Sequence, residues 1–178
     1  MLGRHPKELQ ELLLAGVLRE SARQLLARGV EAEVKHFREG VSRPGNGSGR
    51  DPLVRNGLHP ERTVMTGVGP VAVRLPKVRR REINLPAFRS MLVGRYARRA
   101  RTLTADALAT YAHAIESGDI GPALAALIGP QALAVPAPVR RELQDWWAGQ
   151  CAAWRAEIAR VDTPNLTPVA ATRIVAAI

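Results

Sequence analysis

The stretch Arg62-Thr63-Val64-Met65-Thr66-Gly67-Val68-Gly69-Pro70-Val71-Ala72-Val73-Arg74-Leu75-Pro76-Lys77-Val78-Arg79 decides how this chain is read. Two β-prone runs, 63–66 and 71–75, flank Gly67-Val68-Gly69-Pro70, and turn residues between short apolar runs predict a β-hairpin. Pro70 has no N–H to give a ladder, which confines it to the turn or to a strand start. Pro76 then stops the second strand or puts it on an edge. The change of period stands out because the apolar spacing on both sides is helical.

N-terminal to the hairpin, Leu9, Leu12, Leu13 and Val17 recur at helical spacing, as do Ala22, Leu25, Leu26, Val30, Val34 and Phe37. Two helices or one kinked helix fit residues 6–39, with Gly16 and Gly29 each costing about 1 kcal/mol relative to alanine. The stripe fits a core-facing surface, and a seam between two chains is the alternative. Residues 40–51 hold three glycines within five positions and almost nothing to bury, so 40–61 reads as a flexible linker.

Beyond Thr102 the pattern is helical again. Leu108, Tyr111, Ala112 and Ile115 share a face, with Thr104 as N-cap and Gly118 at the end. A short helix over 120–128 turns Leu124, Leu127 and Ile128 inward and closes at Gly129. Pro138 then suits the first turn of a longer helix whose stripe is Val139, Leu143, Trp146, Trp147, Cys151, Trp154 and Ile158. The expected fold is mainly α with a small β-hairpin. Its segments are N-terminal helices (1–39), a flexible linker (40–61), the hairpin with a basic segment (62–101), a helix-turn-helix-like helical unit (102–160) and an unassigned tail (161–178).

The chain carries 26 basic and 16 acidic residues, and Lys7, Lys35 and Lys77 are its only lysines. Arginine offers phosphate a planar, multi-donor head, although a GC-rich coding bias also raises arginine. The distribution separates these readings. Arg74, Lys77, Arg79, Arg80, Arg81, Arg89, Arg95, Arg98, Arg99 and Arg101 fall in one stretch opposed only by Glu82, so ten minus one, or nine, of the net +10 resides there. A coding bias would spread arginines evenly. Such a stretch neutralises phosphates with release of counterions and so fits nucleic acid; a solvated basic surface or an anionic protein partner is the alternative. Few aromatic residues accompany the arginines, which makes single-stranded RNA a poorer fit. Arg140 and Arg141, near the start of the 138–160 helix, are candidates for reading base edges. The link from Gly129 to Ala137 is longer than a usual helix-turn-helix turn.

Little else in the sequence suggests chemistry. Cys151 is the only cysteine and lies on the apolar stripe, so neither an intrachain disulfide nor a thiolate zinc cluster is available. His5, His36, His59 and His113 lack metal-ligand spacing, and His59 before Pro60 reads as a turn residue. The glycines of 67–69 match neither a phosphate-cradling loop nor a dinucleotide fingerprint. Asp51, Asp106, Asp119 and Asp145 fit capping and solvation better than catalysis. The N-terminus has no apolar signal region and no run approaches about 18 apolar residues. The expected setting is cytoplasmic and nucleoid-associated, with no membrane contact.

Leu18-Arg19-Glu20-Ser21-Ala22-Arg23-Gln24-Leu25-Leu26, Val30-Glu31-Ala32-Glu33-Val34, Val54-Arg55-Asn56-Gly57-Leu58-His59-Pro60-Glu61-Arg62, Thr66-Gly67-Val68-Gly69-Pro70-Val71, Arg74-Leu75-Pro76-Lys77-Val78-Arg79 and Phe88-Arg89-Ser90 follow one another in the chain. Ser117-Gly118-Asp119-Ile120 and Ala123-Leu124-Ala125-Ala126-Leu127-Ile128-Gly129-Pro130 extend the series. In this order the chain resembles, over about residues 18–160, the N-terminal region of the bacterial Mutator-type insertion-sequence transposases. It departs from the family at Pro136-Ala137-Pro138, where Ser or Thr usually precedes the helix. The resemblance implies element-end DNA as partner, with pairing between two copies as a further option. It also implies a catalytic domain beginning shortly after Trp154, whose Asp-Asp-Glu triad holds Mg²⁺. Arg160-Val161-Asp162-Thr163-Pro164 shows no such strand, and Asp162 is not a carried-over catalytic residue. The expectation is therefore a truncated transposase without a cofactor of its own, which binds DNA and does not cut it. A non-enzymatic DNA-binding transcriptional regulator is the alternative.

Overall fold

The computed structural model describes residues 6–41, 53–81, 84–94 and 104–161, with side chains from residue 12 onward in the first segment. Helix α1 (Pro6–Val41) is a single element that runs through both of its suspected weak points, Gly16 and Gly29. Leu14, Leu18, Ala22, Leu25, Leu26 and Val30 are all buried along it. Each large apolar side chain among them contributes about 1.5–3 kcal/mol, which outweighs about 1 kcal/mol per glycine. Gly29 has a packing role as well. A Cβ there would stand 2.2 Å from Leu92 Cδ1, so the missing side chain is what admits Leu92.

Four strands follow: β1 (Leu53–Leu58), β2 (Arg62–Thr66), β3 (Gly69–Val73) and β4 (Pro76–Arg80). β2 and β3 make the expected hairpin, in register from Arg62↔Val73 to Thr66↔Gly69. A second antiparallel pair joins β1 to β4, with Leu53↔Arg80, Val54↔Arg79, Arg55↔Val78 and Leu58↔Pro76. The backbone N–H of His59 extends this contact to the Leu75 carbonyl at 2.7 Å.

The second pair corrects two expectations. Residues 53–58 of the expected flexible linker form a strand; the glycine-rich run 42–52 lies outside the described residues. Pro76 also does not end the hairpin's second strand, because it opens β4. β1 escapes local reading because only Leu53 in it is buried, so no apolar alternation marks it. Its stability comes from a partner strand that begins at Pro76, well beyond the reach of local pattern.

Helices α2 (Ala105–Ser117), α3 (Ile120–Ile128) and α4 (Ala137–Arg160) complete the fold, with a 3-10 helix (Gly129–Ala134) between the last two. Caps stand where the sequence indicates. Thr104 accepts from the Ala107 N–H, Gly118 takes φ 74° at the end of α2, and Asp119 accepts from the Gly121 N–H. The described protein is thus mainly helical with small antiparallel β-pairs, as expected.

One core runs through α1, the β2–β3 hairpin, Leu92-Val93 and α2 to α4. At its centre Tyr111 meets Trp147 edge-on at 5.8 Å, and Trp147 meets Trp154 at 5.0 Å. The polar atoms of these rings are placed rather than stranded. Tyr111 OH lies 3.2 Å from Ser21 Oγ, and Trp147 Nε1 donates to the Ala114 carbonyl at 3.3 Å. Gln144 braces the α2–α3 corner, accepting from the Ile120 N–H and donating to the Gly118 carbonyl. Arg155 donates to the Glu116 carbonyl at 2.8 Å, near the C-terminal end of α2 where cations are favoured.

The hairpin turn is buried in this assembly. Thr66 and Val68 are fully buried, and the Gly67 N–H donates to the Leu127 carbonyl at 3.3 Å. Thr66 Oγ1 closes the turn by donating to the Gly69 carbonyl and accepting from the Val68 N–H. Gly67 therefore serves close packing against the α2–α3 pair, while Gly69 takes φ 105°, a conformation that favours glycine.

Candidate nucleic-acid interface

The β1–β4 ladder carries the described part of the arginine-rich stretch. Successive strand residues point to opposite faces, so Pro76, Val78 and Arg80 share one face of β4 while Lys77 and Arg79 share the other. The first face turns toward α1. Pro76 is buried there, and Arg55, the cross-strand neighbour of Val78, makes a two-pronged ion pair with Glu31 of α1 at 2.6 and 2.9 Å. Lys77 and Arg79 thus project from the opposite face, about 6.6 Å apart along the strand.

The basic side chains divide into those with a structural partner and those without. Arg74 lies 3.7 Å from Glu61, Arg28 and Lys35 both reach Glu142, and Arg80 donates to the Leu85 carbonyl. Arg140 donates to the carbonyls of Val135 and Leu133 at 3.1 and 3.4 Å, fixing the turn before α4. Among the described residues, Lys77, Arg79, Arg81, Arg89 and Arg141 enter no ion pair and donate no side-chain hydrogen bond. Their donors are available to an external anion. Arg95, Arg98, Arg99 and Arg101 lie outside the described residues.

The last turns of α1 bring two of these groups to one end of the molecule. Arg81 lines a groove of about 620 Å³ with Lys35, Arg38, Arg55 and Glu39. Arg141 lines a second groove, of about 470 Å³, that also includes Lys35, His36 and Glu39. Lys35 and Glu39 border both, so β4 and the start of α4 flank the same helix end, although more than fifty residues separate them in sequence.

Residues 84–94 pack against α1, held by a group that charge counting overlooked. Glu33, 5% exposed, accepts from Ser90 Oγ at 2.5 Å and from the Met91 and Leu92 N–H groups at 2.7 and 3.1 Å. Ser90 Oγ in turn accepts from the Val93 N–H, and Arg62 donates to the Val93 carbonyl at 2.8 Å. Burial pushes the Glu33 carboxyl above its ordinary range, against the hydrogen bonds from Ser90, Met91 and Leu92. The signal was present in the sequence: Glu33 is a carboxylate on the apolar stripe between Val30 and Phe37, where one needs partners.

Among the described residues no catalytic constellation emerges. Cys151 is buried on the core side of α4, with its thiol pushed up by burial against the opposing charge of Arg155. Asp119 is occupied as a helix cap, and among the described residues no three His, Cys, Asp or Glu side chains converge to hold a metal ion. The described residues therefore offer no carboxylate set that fits Mg²⁺. Among the described residues no helix is long and apolar enough to cross a membrane.

The comparisons agree with the resemblance drawn from the sequence. A family model described as Transposase, Mutator family matches residues 5–147, which includes the strands, the arginine-rich stretch and α1 to α3. No curated protein and no solved structure matches the chain.

Proposed function

The chain belongs to the Mutator family of transposases, and from that premise we propose that its part in transposition is to hold double-stranded DNA at element ends through the outward face of β4. The observation that carries this reading is the pair Lys77 and Arg79. Both project from a hydrogen-bonded ladder away from α1, with no carboxylate partner among the described residues. Arg81, which lines the groove between β4 and α1, and the exposed Arg89 add further cations without an ion-pair partner among the described residues. Cations mounted on a strand lose less conformational freedom on contact than cations on a free chain.

Contacts of this kind position the protein and carry no sequence information. Sequence readout falls to the first turns of α4, where Arg141 is exposed and without a partner. Arg140 supports it indirectly by tying down the Leu133 and Val135 carbonyls. Placing Arg81 and Arg141 on two flanks of one helix end suits a duplex, which offers a phosphate backbone and a groove side by side.

Binding to labelled element-end duplexes, to scrambled duplexes and to single-stranded RNA tests this reading across 50–200 mM salt. The expected result is steeply salt-dependent binding to duplex, tighter for element ends. Absence of duplex binding at low salt, or binding indifferent to salt, overturns it.

A further inference from the structure

We infer that Glu33 is a positioning residue for the DNA-binding surface: its buried carboxylate sets the 90–93 turn and thereby the presentation of Arg89. The inference rests on the DNA-binding reading above. A carboxylate is an acceptor only, and this one takes three donors from three consecutive residues, Ser90, Met91 and Leu92. Among the described residues no lysine or arginine neutralises it. Burying a carboxylate without a cation is costly, and these three donors offset part of that cost.

The backbone around Arg89 is held on both sides. Before it, the Phe88 ring packs against Phe37 of α1 at 5.6 Å, and Arg80 of β4 donates to the Leu85 carbonyl. After it come the Glu33 contacts, Leu92 seated over Gly29, and the Arg62 bond to Val93. Arg89 itself is exposed and makes no contact among the described residues. An otherwise extended segment is thus fixed at every position near the one cation that it displays. Releasing the 90–93 turn would leave Arg89 on a swinging tether, and ordering that tether would weaken each contact it makes.

The test is a double-mutant cycle on duplex binding with Glu33→Ala, Arg89→Ala and the double variant, each measured at several salt concentrations. Loss of the Arg89 contact should lower the salt slope by about 0.9. Glu33→Ala is expected to reproduce that loss, with the double variant close to either single one, because both remove the same contact. Glu33→Gln keeps an oxygen for the Met91 and Leu92 N–H groups and should retain most of the slope. Ser90→Ala removes one donor while sparing the core, so it keeps the test open should Glu33→Ala not fold; an intermediate loss is expected.

A folded Glu33→Ala or Ser90→Ala protein with native affinity and slope overturns the inference, as does an additive cycle. If the native chain fails to bind duplex at all, the DNA-binding reading falls and takes this inference with it. If the native chain binds and the Glu33 and Ser90 variants match it, only this inference falls.

Discussion

A Cβ at Gly67 would lie 2.0 Å from the carbonyl oxygen of Ala126, a distance no side chain can occupy. Ala107 Cβ closes the other side at 2.9 Å. The hairpin turn is therefore seated against α3 backbone to backbone and against the Ala107 methyl of α2, and the β and helical segments share one core.

Gly67→Ala should cost about 2–4 kcal/mol, since the atoms in the way are main chain and cannot swing aside. Gly149→Ala is the control. Gly149 lies in α4 with nothing within 4 Å of its missing Cβ, so alanine there should stabilise by up to about 1 kcal/mol. Chemical denaturation of the two variants measures both values. Equal effects from the two would show that the turn is not seated as described.

On β4, Lys77→Ala and Arg79→Ala should each lower the salt slope of duplex binding by about 0.9. Arg80→Ala should change it less, because the Arg80 guanidinium already serves the Leu85 carbonyl. A uniform drop across all three positions would mean that the alternation of the strand does not govern contact with phosphate.

Glu33 should make stability depend on pH in a defined direction. Burial raises its folded pKa above the ordinary 4.5, so the native state holds this proton more tightly than the unfolded chain. Stability relative to Glu33→Gln should then rise as pH falls through the folded pKa and level off below the unfolded one. Urea denaturation of both proteins between pH 8 and pH 4 reads the difference, and wild-type stability that falls relative to Glu33→Gln toward acid contradicts the assignment.

Cys151 should be silent to thiol reagents in the folded protein. It is 1% exposed, and burial pushes its thiol pKa up, so little thiolate is available. Labelling should require opening of the core and run at least about 100-fold slower than in denaturant, where one thiol per chain should react. Fast labelling under native conditions would place the thiol outside the core.

Much of this organisation was legible because it is local. The helix stripes, Thr104 and Gly118 as caps, and the hairpin around Gly67-Val68 each depend on residues within a few positions of one another. The ordered motifs were enough to point to the family. The β1–β4 pair was not legible, because β1 is polar, exposed and bonded to a strand distant in sequence. Gly29 looked like a helix weakness, and only Leu92 packed over it explains why it is tolerated. Charge counting located the arginine-rich stretch but weighted its members alike.

The amino-acid sequence by itself determined the helices and the β2–β3 hairpin, the caps of α2, the core stripe of α4 and the concentration of positive charge. Only the tertiary structure decided which cations remain available. Glu61 engages Arg74, the Leu85 carbonyl engages Arg80 and the 133–135 turn engages Arg140, while Lys77, Arg79, Arg81, Arg89 and Arg141 have no such partner among the described residues. The physical reason is that charge is a property of composition, whereas the availability of a charge depends on the neighbours that folding brings to it.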